Sequence, residues 1–138
     1  MATRSVRAEH APVTMRVPFA ASSVASARQQ LKRWMGQHGS SREHIEDARV
    51  IISELVANSV RHAQPLPDGT ILISWAVEHR GLKLSVTDGG SATRPRTVNA
   101  SSSALAGRGM AIVESLAIAW WTEKTRSRST VHAVLSVS

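Results

Sequence analysis

The chain has 138 residues, 42% of them hydrophobic, which fits one globular domain with its own core and excludes wholesale disorder. It contains no cysteine, so a disulfide framework and a thiolate metal site are excluded, and it has no apolar run near the ~20 residues that span a bilayer. The net charge is +7, but the seventeen Lys and Arg are scattered from Arg4 to Arg128 beside only one Phe and four Trp. That pattern points to a solvated basic surface that can meet an anionic ligand or an acidic protein, with no direct nucleic acid and no membrane partner expected. The expected compartment is the cytoplasm.

Residues 1–11 read as a flexible N-terminal tail before one domain over 12–138. Val13, Met15, Val17 and Phe19 alternate with polar residues, the pattern of a strand with one buried face. Ser22 or Ser23 can cap a helix carrying Val24, Ala27, Leu31, Trp34 and Met35, ended by Gly36 and Gly39. A second helix is predicted from about Arg42 to Ala63, started either by Ser40 with Glu43 or by Ser41 with His44. Its apolar stripe is Ile45, Ala48, Ile52, Leu55, Val56 and Val60, and Pro65 and Pro67 stop it.

Ile71, Ile73, Trp75 and Val77, then Leu82, Leu84 and Val86 after the turn His79-Arg80-Gly81, predict an antiparallel hairpin. From Gly89 to Gly107 the composition is Gly, Ser, Ala, Thr, Pro and Arg without periodicity, and a loop is expected. Gly107-Arg108-Gly109 then leads into a helix through Met110, Ile112, Val113 and Leu116. A final hairpin pairs 117–123 with 129–137, where one of Trp120 and Trp121 should be buried and the other exposed. The order predicts an α+β two-layer sandwich, a mainly antiparallel sheet with helices on one face.

Three places carry chemistry. Glu54 and Asn58 are one turn apart on the second helix, about 40° apart in projection, among Ile51, Ile52, Leu55 and Val60. An Asn oxygen is a hard ligand suited to Mg²⁺, and Glu54 can serve as a general base; the alternative is a helix edge where Glu54 pairs with Arg49 or Arg61. Asp88 ends an alternating strand and is followed by Gly89 and Gly90, so it can accept from an exocyclic amine beside a backbone open to a ring. A plain Asp-Gly turn has the same sequence. Gly107-Arg108-Gly109 at a helix start would offer unpaired amides and a positive dipole end to an anion, although glycine capping explains it equally.

In this order, ELVANSVRHA resembles the N-box of the GHKL (histidine kinase-like) ATPase superfamily, VTDGG its first glycine box and GRGMAIVESLA its second. The short length, the RHA and the compact GRGM are similar to the anti-sigma-factor serine kinases of the RsbW type, actinobacterial regulators included. The resemblance covers roughly residues 12–138 and implies the Bergerat-type ATP-binding fold with ATP and Mg²⁺ as cofactors. It implies Glu54 as catalytic base, Asn58 as Mg²⁺ ligand, Asp88 at the adenine amine and Gly90 beneath the purine. Gly107, Arg108 and Gly109, with Met110 beside them, would hold the phosphates, residues 89–106 would form the lid, and Thr130 would lie near the adenine. The activity implied is an ATP-dependent serine/threonine protein kinase and anti-sigma factor. Its partners would be a sigma factor and a STAS-type anti-anti-sigma protein that it phosphorylates, and a homodimer is compatible. The alternatives are a catalytically weak nucleotide-gated partner-binding module and a basic nucleic-acid-associated regulator.

Overall fold

The computed structural model describes residues 11–79, 81–90 and 101–137. The chain runs β1 (Val13–Pro18), α1 (Ser23–Gln37), α2 (Arg42–His62), β2 (Thr70–Glu78), β3 (Gly81–Asp88), α3 (Ser101–Leu116), β4 (Ala119–Lys124) and β5 (Ser129–Ser136). The strands form one sheet in the order β1-β2-β3-β5-β4, with every neighbouring pair antiparallel. The expected α+β sandwich is therefore the architecture.

Alternation along the strands decides which face is covered. Val17, Ile71, Ile73, Trp75, Leu82, Leu84, Val86, Ala133 and Leu135 are buried and pack with Leu31, Met35, Ile51, Ile52, Leu55 and Val56 of the helices. The residues between them, such as Thr14, Ser74, Lys83, Ser85, Thr87, Thr130 and His132, line the opposite face, which bears no helix among the described residues. That division suits an antiparallel sheet covered on one side.

The helix ends show why the boundaries fall where they do. Gly39, at φ +79°, terminates α1, with Ser40 N–H bonding to the Met35 carbonyl at 3.0 Å and Gly39 N–H to that of Gly36. This pair of bonds around a left-handed glycine satisfies carbonyls that the helix leaves free. Gly36 itself lies inside α1, so only Gly39 ends it. Of the two possible caps for α2, the structure uses Ser41, whose Oγ accepts from His44 N–H at 3.1 Å.

Three expectations change. Gly107, Arg108 and Gly109 lie within α3, which begins at Ser101, and are not at a helix start. The segment expected as loop up to Gly107 is accordingly helical from 101, while 91–100 (with Ser91, Arg94 and Arg96), Arg80 of the hairpin turn and tail residues 1–10 lie outside the described residues. Trp120 and Trp121 are both exposed, at 37% and 40%, because β4 is an edge strand whose six residues are all exposed. Trp121 is partly covered by the His132 ring instead, stacked at 5.0 Å between centroids.

Candidate functional site

Asp88, at the C-terminal end of β3, meets α2 at Ser59, one residue from Asn58. Asp88 stays on the helix-covered face, because it continues the alternation Leu82, Leu84, Val86, and it is 5% exposed. Its Oδ2 accepts from the Ser59 hydroxyl of α2 at 2.6 Å and its Oδ1 from Gly90 N–H at 2.8 Å. Burial raises the Asp88 pKa above the ordinary carboxylate value, opposed by the Ser59 and Gly90 hydrogen bonds and by the charge of Lys124. A buried carboxylate with one donor on each oxygen still has an acceptor position free on each, which is what recognition of an amino group requires.

The two glycines after Asp88 have different reasons for being there. A Cβ on Gly89 would sit 2.1 Å from the Pro65 carbonyl oxygen, and Gly89 N–H bonds to the Gln64 carbonyl at 2.7 Å. Gly89 is thus fixed by the loop that follows α2. Gly90 has φ +88° and open space where a side chain would be, and its carbonyl accepts from Gln64 N–H at 2.8 Å. Of the two, Gly90 is the one that no described residue crowds.

Glu54 and Asn58 are both half-buried on α2. The Glu54 carboxylate Oε1 lies 2.6 Å from the position of a Cβ on Gly109, so α3 approaches α2 at its glycine against the candidate base. Arg49 pairs with Glu46 at 2.9 Å, which removes it as the surface partner considered for Glu54. Met110 is partly buried against the core. Because Gly107–Gly109 are seven to nine residues into α3, their amides fall where a helix uses its own carbonyls. They are not the free anion-binding donors of a helix start.

Thr130 falls elsewhere. Its hydroxyl pairs with that of Thr87 at 2.8 Å on the helix-free face, opposite to Asp88. It lines a cavity of about 370 Å³ there, together with Ser85 and His132, which bond to each other at 2.7 Å. The residue directly across from Asp88 is Ser129. The alternation of Val131, Ala133 and Leu135 carried that information, since an odd-numbered hydroxyl shares their face. Ser59 had no such signal, because nothing in its own helix announces a partner 29 residues away.

For the groups such a site would take, the donor set fits. Among the described residues, no three His, Cys, Asp or Glu gather into a metal cage. One half-buried carboxamide suits Mg²⁺, which keeps waters and binds mainly to phosphate oxygens. The open space at Gly90 beside the buried Asp88 carboxylate suits a flat base bearing an amino group.

The fold is that of an α+β domain, with the candidate residues where one helix layer meets the end of a strand. Residues 17–134 match the histidine kinase-like ATPase domain family, and the chain belongs to it. It is similar to the serine-protein kinase RsbW of Listeria monocytogenes serotype 4a (strain HCC23), 31% identical over 83 residues covering 59% of this chain and 53% of that protein. RsbW of Staphylococcus aureus (strain MRSA252) is 32% identical over 80 residues, 56% of this chain and 50% of the relative. The matched segment thus spans about half the length of these curated relatives. Among solved structures, the RsbU and RsbW domains of a Mycobacterium tuberculosis protein superpose with TM-score 0.71 at 21% identity, covering 92% of this chain and 32% of that one. A chain of the SiaB–SiaC complex from Pseudomonas aeruginosa superposes with TM-score 0.69 at 11% identity, covering 97% and 95%. Both share the fold. Among the described residues, no helix is long and apolar enough to cross a membrane.

Proposed function

We propose that this chain is an ATP-dependent serine/threonine protein kinase of the anti-sigma-factor type, acting on a serine of a small STAS-type antagonist and sequestering a sigma factor when that antagonist is absent. The observation that carries the proposal is the buried Asp88 carboxylate, held by Ser59 and Gly90 one residue along α2 from Asn58 and five from Glu54. Similarity to RsbW over some 80 residues supports the direction of the reading.

In this reading Asp88 accepts from the adenine amine and Gly90 lies under the ring. Asn58 would hold Mg²⁺ through its side-chain oxygen, and the ion would supply neutralisation of phosphate charge. Glu54, half-buried at the edge of the pocket, orients the acceptor serine hydroxyl and takes its proton as the γ-phosphoryl group passes to the serine oxygen and ADP departs. The net charge of +7 suits an acidic partner.

Incubation with ATP, Mg²⁺ and a purified STAS-type antagonist should give phosphoserine on that protein, and Glu54→Ala should lower the rate by at least about a hundredfold while retaining ATP. Absence of phosphoserine, or a Glu54→Ala rate equal to wild type, overturns the kinase reading. One observation favours a second reading, a nucleotide-gated partner-binding module. The Gly107–Gly109 amides are engaged inside α3, and Gly109 lies against Glu54, an arrangement able to bind the base without organising the phosphates. ATP binding by calorimetry without turnover distinguishes the two.

A further inference from the structure

We propose that Ser59 is a positioning residue for base recognition, fixing the Asp88 carboxylate in the orientation that accepts from the amino group of a purine. The inference rests on the nucleotide reading of the site and goes beyond it by assigning the residue that orients the carboxylate.

A serine inside a helix ordinarily turns its hydroxyl back to the carbonyl four residues earlier. Ser53 of α2 does this, donating to the Arg49 carbonyl at 2.7 Å. Ser59 does not. It is 2% exposed, and its hydroxyl leaves its own helix to donate to Asp88 Oδ2 at 2.6 Å. Alanine would be the better helix former at that position, so the hydroxyl is accounted for by its partner and not by the helix.

An aspartate has two side-chain torsions, and a carboxylate held at one oxygen can still swing about that contact. Here each oxygen has a donor from a different direction, the Ser59 hydroxyl on one and Gly90 N–H on the other. The two bonds fix both torsions before a ligand arrives, so binding does not have to order the group. They also leave one lone pair on each oxygen unused. A carboxylate in that state welcomes an amino group and repels a carbonyl, which selects an aminopurine over an oxopurine. Lys124, at the end of β4, is the charged group that acts on Asp88 among the described residues, and Ser129 faces it from β5. The direct donors to the carboxylate are Ser59 and Gly90.

The test compares two ligands that differ only at the group Asp88 would read: ATP, and purine riboside 5′-triphosphate, which lacks the amino group. Both are titrated by calorimetry into the full chain and into Ser59→Ala with saturating Mg²⁺, with melting curves to confirm folding. Ser59→Ala should weaken ATP by about tenfold, the loss expected for one hydrogen bond to a charged group, and leave the analogue within about twofold. The wild-type preference for ATP over the analogue should shrink accordingly. Equal weakening of both ligands would show Ser59 supporting the pocket generally and overturn the assignment, as would no change in either. Failure of the wild-type chain to bind ATP at all would overturn the nucleotide reading itself, a result separable from the other two.

Discussion

Asp88 carries two opposed requirements. In the proposed reading its charge accepts from an amino group, yet burial makes that charge costly, which is why its pKa is raised above 3.8 despite three favourable contacts. A carboxyl whose folded pKa lies above its unfolded value destabilises the fold when ionised, and the penalty fades as pH falls through the raised value towards 3.8. Asp88→Asn should therefore raise the melting temperature near neutral pH, with the gap to wild type closing as the pH is lowered to about 4. In the same window wild-type ATP affinity should fall, because protonation removes the acceptor, and the asparagine variant should bind ATP at least about tenfold more weakly at pH 7.5. Melting curves and calorimetry across pH check both trends, which run in opposite directions. Gly89→Ala tests the neighbouring backbone. Its Cβ meets a main-chain oxygen at 2.1 Å that cannot rotate away, so a loss of about 1–3 kcal/mol in chemical denaturation is expected, together with weakened ATP binding.

At the scale of elements, the meeting of α2 and α3 at Gly109 separates stability from chemistry. The atom a new Cβ would strike there is the end of the Glu54 side chain, which can move. Gly109→Ala should leave the protein folded, and even gain up to about 1 kcal/mol of helix propensity, while displacing Glu54. Phosphotransfer should then fall by about a hundredfold, the usual consequence of moving a catalytic group by roughly 1 Å, with ATP affinity little changed. The start of α2 offers a contrast. Ser41→Ala removes the cap on His44 N–H and should cost about 0.5–2 kcal/mol in denaturant melts without altering nucleotide affinity, because the cap lies at the far end of the helix from Asn58 and Ser59.

For the whole molecule, the pocket is assembled by parts that depend on one another. α2 supplies Ser59 and Asn58, β3 supplies Asp88, and the loop at Gln64–Pro65 ties Gly89 and Gly90 to the end of α2 through two backbone bonds of 2.7 and 2.8 Å. A ligand that binds only the assembled state adds to its stability. ATP with Mg²⁺ at about a hundred times its Kd should contribute about 2.7 kcal/mol, a melting shift on the order of 10 °C for a domain of this size. Chelation with EDTA should remove most of that shift if Asn58 holds the ion. An unchanged shift would assign the affinity to the base and phosphates alone.

The sequence by itself determined the layers, because period-2 and period-3.6 spacing of apolar residues states which face of each element is buried. Leu82, Leu84 and Val86 set the face that Asp88 shares, whereas Thr130, expected near the same site, pairs with Thr87 on the other face and Ser129 lies across from Asp88. The composition around 89–107 looked like a loop, yet 101–107 is helical. A run of Ser, Ala and Gly has too weak a pattern to fix its own state. The exposure of both tryptophans was equally beyond reach, since strand alternation assumes a covered face and only the strand order shows β4 at the edge. Tertiary structure alone decided the contacts that shape the site: Ser59 on Asp88, Pro65 against Gly89 and Glu54 against Gly109. Each joins residues at least 24 positions apart, and local patterning carries no information about which distant groups will meet once the core has closed.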